Sequence, residues 1–164
     1  MDFSKAFAYK RWSNQEILDF GERQESQLPG DDREFFVRIL NHTAVVDALF
    51  ISRLQGLPDP FSGDNTPETP SFAELRQRMS SQDQWLCDYV AALNTDQCLR
   101  QIAFRFTDGD TGRLSVEEIL LHLLTHGSNH RGMASRTLAS NGLERPKDTF
   151  TRYLHQSEPE RRFE

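Results

Sequence analysis

Apolar residues recur at intervals of three and four along four stretches of the chain, and clusters of proline and glycine part them. This pattern predicts an all-α protein, a four-helix bundle. The first helix covers about Phe3 to Gln24, with Phe3, Phe7, Ile17 and Leu18 apolar and polar residues between them, and Pro29-Gly30 breaks it. The second opens near Asp31 or Asp32, carries Phe35, Ile39, Val46 and Phe50 on its apolar face, and ends at Gly56 and Pro58. From Leu57 to Pro70 the chain holds four prolines, which suits a long crossover loop and no helix. Ser71 and Glu74 have the spacing of a capping box, in which each side chain accepts from the other residue's backbone N–H. The third helix starts there, with Phe72, Leu75, Met79, Gln82, Leu86, Tyr89 and Leu93 as its stripe.

Between Leu99 and Leu114 the period shortens to two. Ile102, Phe104 and Phe106 alternate with Gln101 and Arg105, predicting a short hairpin before the last long helix, its turn within Asp108–Gly112. Ser115 and Glu118 form a second capping box, and the fourth helix runs to about Ser140, closed by Asn141-Gly142 and Pro146. Residues 1–155 thus make one domain, and residues 156–164 form a polar tail expected to fray.

A chain of 164 residues buries a sizeable core without covalent staples. Nineteen Lys and Arg against 25 Asp and Glu leave a net charge of −6, which opposes binding to a nucleic-acid backbone. The first residues lack the apolar core of a secretory signal, and no run reaches the roughly 18 apolar residues of a membrane span. A cytoplasmic protein with no membrane partner is the expectation. Cys87 and Cys98 are too few for a disulfide framework and read as reduced thiols, with packing the favoured role for Cys87.

The chemistry concentrates in histidine. His122, His126 and His130 share the fourth helix, and His42 lies within the second. Residues four apart on a helix stand about 5–6 Å apart at Cβ and can grip one ion, whereas residues eight apart are separated by about 12 Å of rise. His122 and His130 therefore cannot share an ion, and the pairs are His122/His126 or His126/His130. At about 100° per residue, with the core centred on Val116, Leu123 and Ala134, His130 and His126 face further inward than His122. On the second helix His42 also turns toward the interior. His42, His126 and His130 are the candidate metal ligands, with His122 a neighbour and His155 in the solvated tail. No carboxylate or further histidine stands out as a general base, and the catalytic residues stay unassigned.

Three segments, AYKRWSNQEIL, ILNHTAVVDALFISRLQG and LLHLLTHGSNHRG, resemble the DinB/YfiT-like metal-binding family. Tyr9, Trp12 and Asn14 match its opening motif, and Gly142, Pro146, Asp148, Phe150, Tyr153 and Leu154 match its closing one. The resemblance implies an up-up-down-down-like bundle, a homodimer, and nickel or zinc held at His42, His126 and His130. Arg131 and Gly132 match the family motif; as residues, Arg131 reads as a structural ion-pairing group, with a substrate contact the alternative, and Tyr9 and Trp12 read as packing residues. Many relatives place His and Gln where this chain has Asn129 and Met133.

Three neutral imidazoles would leave a coordination position open, where an ion lowers the pKa of a thiol or a water. Characterised relatives include transferases and isomerases that use low-molecular-weight thiols. The leading expectation is therefore a metal-dependent thiol S-transferase acting on a small electrophile. A non-catalytic metal-binding or stress-associated bundle, and a metal-dependent hydrolase, are the alternatives.

Overall fold

The computed structural model describes residues 3–163. Four long helices, α1 (Phe3–Arg23), α2 (Gly30–Gln55), α3 (Phe72–Ala92) and α5 (Val116–Ser140), form the bundle. Between the last two lie a short helix, α4 (Thr95–Leu99), and an antiparallel hairpin of β1 (Gln101–Arg105) and β2 (Thr111–Ser115). A further helix, α6 (Phe150–Ser157), and a 3₁₀ turn at Pro159–Arg161 follow. The polar segment expected to fray is thus helical through Ser157, and Lys5 on α1 ties it down through Glu158 at 2.8 Å. The other two additions to the expected bundle are α4, capped by Asn94 and Gln97, and α6, capped by Thr149.

Both predicted capping boxes form, at Ser71/Glu74 and Ser115/Glu118. At the other ends Gly56 (φ 70°) and Gly142 (φ 68°) take the left-handed conformation that a side chain resists, which stops α2 and turns the chain after α5.

Contacts fix the helix directions. Lys10 meets Asp83 while Asp19 meets Arg76, so α1 and α3 are antiparallel. Asn41 meets Arg78 and Ala44 meets Gln82, so α2 and α3 are parallel. His42 meets His126 and Asp32 meets Asn141, so α2 and α5 are antiparallel. The order is up-down-down-up. This corrects the up-up-down-down arrangement implied by resemblance, and it explains the crossover: two consecutive parallel helices need a connection that travels back along the bundle.

The core falls into two clusters. One gathers Phe7, Phe50, Leu86, Val116 and Leu120 near the hairpin; the other gathers Ile17, Phe36, Leu40, Leu75 and Leu138 at the far end. Gly21 lets the second cluster close, since a Cβ there would lie 2.3 Å from the Phe36 ring. The α2 face differs from expectation, because Phe35 is 43% exposed while Phe36, Leu40 and Ala44 are fully buried. The cause is packing on two sides, against α3 and α5, which widens the buried arc beyond one stripe. By length and composition α2 could cross a membrane, but most of it is buried inside the bundle, as a core helix requires.

Polar residues of α1 depart further from the pattern. Lys10, Ser13 and Asn14 are buried between the two apolar clusters. Lys10 donates to Asp47 at 2.5 Å and to Asp83 at 3.1 Å, and Asn14 donates to Asp83 at 2.9 Å. Burial opposes the charge on Lys10, but the two carboxylates outweigh it and hold its pKa above the ordinary value. Arg131 extends the network, donating to Asn14 at 3.1 Å and to Asp148 at 2.7 Å.

Candidate metal centre

α2 and α5 bring His42, His126 and His130 to one point. Nε2 of His126 lies 3.0 Å from Nε2 of His42 and 3.1 Å from Nε2 of His130. One coordinating atom from each of the three lies within 4.8 Å of the others. Two nitrogens bound to one ion at about 2.0–2.1 Å stand roughly 2.8–3.4 Å apart for angles between octahedral and tetrahedral values. The separations from His126 to His42 and to His130 both fall within that range, so each of these two pairs has the spacing of ligands to one first-row ion.

Hydrogen bonding orients the donors. Nδ1 of His42 lies 2.7 Å from the backbone carbonyl of Asp64. A carbonyl only accepts, so Nδ1 carries the hydrogen, and in the neutral ring the lone pair sits on Nε2, facing the other histidines. Asp64 belongs to the crossover loop, which is itself fastened to α2. Asn41 donates to Asn65 at 2.6 Å and to Thr66 at 2.7 Å, and Asn65 donates to the Arg38 carbonyl at 3.1 Å. The proline-rich crossover therefore fixes a ring as well as joining two helices. No side-chain pattern could reveal a backbone carbonyl contributed from a loop.

Burial, with the neighbouring histidines, pushes the pKa of His126 down to about 3. His130 is lowered by burial and by His42. Both rings are thus neutral near pH 7, the form that binds a metal. The three-histidine group includes no carboxylate, and the Asp64 carboxylate stands outside the donors, 3.8 Å from Nδ1 of His42.

His122 stands beside the group and outside it. Its ring stacks on His126 at 5.2 Å between centroids and tilts against Phe50 at 5.2 Å, and burial lowers its pKa. Met133 sets its sulfur 3.3 Å from Nδ1 of His130. A thioether is a weak acceptor, so the sulfur orients His130 only weakly. Asn129 is exposed.

The remaining candidates take structural positions. Arg131 is buried and paired with Asp148. Tyr9 donates to Asp148 at 2.5 Å and packs its ring among Trp12, Phe150 and Tyr153. Gln82 donates to the Ala44 carbonyl at 2.8 Å. Burial raises the Cys87 thiol, against activation as a nucleophile. Gly127, beside His126, leaves space for the inner network, since a Cβ there would meet Arg131 at 3.3 Å and Lys10 at 3.5 Å.

Comparison with protein families finds a match to the model described as the DinB family over residues 1–162. Comparisons with curated proteins and with solved structures find no match.

Proposed function

The chain belongs to the DinB family, and from that premise we propose that His42, His126 and His130 hold one divalent ion, nickel or zinc, with which the protein transfers a low-molecular-weight thiol to a small electrophile. The observation that carries the metal reading is the convergence of the three Nε2 atoms, 3.0 and 3.1 Å from the central one, on a metal-sized point. When bound, the ion would supply Lewis acidity, making a thiol acidic enough to react as thiolate. The protein's own contribution is preorganisation: Asp64 sets the His42 lone pair, burial keeps His126 and His130 unprotonated, and Phe50 with His122 walls one side. A group of three protein donors, with no fourth among the described residues, favours an open site over a closed structural one.

Protein purified without an affinity tag and loaded with nickel or zinc is expected to consume a thiol in the presence of a reactive electrophile, above a metal-free control. Bacillithiol, mycothiol and glutathione each need testing. If no thiol turns over with any electrophile while the ion still binds tightly, the reading becomes a non-catalytic metal-binding bundle. Hydrolysis of activated esters by the same sample would favour the hydrolase.

The protein is also proposed to act as a homodimer, and Phe35, Leu121 and Met133 expose apolar surface on α2 and α5 that a second copy could cover. Light scattering at micromolar concentration should give twice the 19.0 kDa chain mass; a monomer there defeats the proposal.

A further inference from the structure

A cleft of about 850 Å³ lies between α5, the segment 142–149 and α6, and it does not belong to the histidine site. Ser128, Arg131 and Ser135 present α5 to the cleft. At about 100° per residue, Ser128 is roughly 160° around that helix from both His126 and His130, so the two sites use opposite faces.

The cleft's charge is the reverse of the protein's. Arg131, Arg145, Lys147, Arg152 and Arg162 line it, and Asp148 is its one carboxylate, giving an excess of four positive charges in a chain whose net charge is −6. Asp148 is already taken by Arg131 at 2.7 Å. Arg145, Lys147, Arg152 and Arg162 make no ion pair among the described residues. Nε of Arg152 is shielded from solvent with no acceptor, an uncommon state for a buried donor. Gathering like charges costs energy that surface lysines and arginines normally avoid by spreading apart.

From this convergence we infer that the cleft binds a small polyanion, a molecule carrying at least two phosphate or carboxylate groups. Its volume is that of a small-molecule site, and guanidinium groups match both anions with paired N–H donors. The net negative charge of the rest of the surface disfavours a long nucleic-acid strand. The inference does not rest on the metal reading, because no histidine of the triad lines the cleft.

The test is calorimetric titration of the full-length protein at 0.15 M salt with two probes, inorganic pyrophosphate and tricarballylate, which separate phosphate from carboxylate recognition. Metal content is measured before and after, so that chelation by the probe is not read as binding. At least one probe is expected to bind with one-to-one stoichiometry. Affinity should fall at least tenfold in Arg145→Gln/Arg152→Gln and independently in Lys147→Gln/Arg162→Gln, each checked for an unchanged circular dichroism spectrum. Arg113→Gln, on the hairpin, should bind as the unaltered chain does. No binding of either probe, or binding by either double variant as tight as that of the unaltered chain, overturns the inference. Cleft-dependent binding of single-stranded RNA without binding of either probe would overturn it too, and would assign the cleft to nucleic acid.

Discussion

Alanine at His42, His126 or His130 will weaken binding of the divalent ion by more than about 100-fold, whereas His122→Ala will not. The three triad variants each remove one of the Nε2 atoms that converge within 3.0 and 3.1 Å of the central nitrogen. Groups that only orient a ligand typically cost about 10–100-fold when removed. His122 stacks on His126 and lies outside the three-histidine group, so its loss belongs in that weaker range. Titration separates the two cases better than metal content at one concentration.

Thermal stability gives an independent readout. A ligand that binds only the folded state at 100 times its dissociation constant stabilises it by about 2.7 kcal/mol; if affinity falls 100-fold at the same concentration, about 0.4 kcal/mol remains. The metal-induced rise in melting temperature should therefore nearly vanish in the three triad variants and persist in His122→Ala. Tight binding by His130→Ala together with its loss in His122→Ala would show that the ion uses the other histidine pair.

The convergence of His42, His126 and His130 is legible in the sequence because two of the three share a helix, where periodicity alone ranks His130 and His126 above His122. Local signals of the same kind announced both capping boxes, the crossover and the hairpin, each written within a few neighbouring residues. What escaped was set by packing partners distant in the chain. Phe35 and Phe36 are equally apolar, and only the placement of α2 between α3 and α5 decides that Phe36 goes inside. Asp64 orients His42 through its carbonyl, to which its side-chain identity gives no clue.

Lys10 is the more instructive omission. Phe3, Phe7, Lys10, Asn14, Ile17 and Gly21 follow alternating steps of four and three, so the spacing places Lys10 and Asn14 on the same stripe as the core residues. Asp83 occupies the equivalent position between Met79 and Leu86. Polar residues on an apolar stripe look like interruptions when helices are read one at a time. They become a unit only when opposite charges on different helices are set against each other.

That unit yields the second large effect. Lys10→Met keeps much of the side-chain length but leaves Asp47 and Asp83 buried with the cation between them gone. Removing one partner of a buried ion network typically costs about 3–5 kcal/mol, a large share of a domain's stability of roughly 5–15 kcal/mol. Urea unfolding followed by circular dichroism should show that loss near pH 7. Burial already raises the Asp47 pKa while Lys10 pulls it back, so without Lys10 the carboxylate should rise further. The sign follows from proton uptake. Between the unfolded and the raised folded pKa, the folded state of the variant binds more protons than the unfolded chain, so its stability falls as pH rises. The deficit relative to the unaltered protein should therefore be smallest toward acid and grow toward neutrality. Adding Asp47→Asn and Asp83→Asn to Lys10→Met removes the unpaired charges and should recover part of the loss. A Lys10→Met chain less than about 1 kcal/mol weaker at pH 7, with no pH trend of its own, would mean that the cation does not hold the centre of the bundle together.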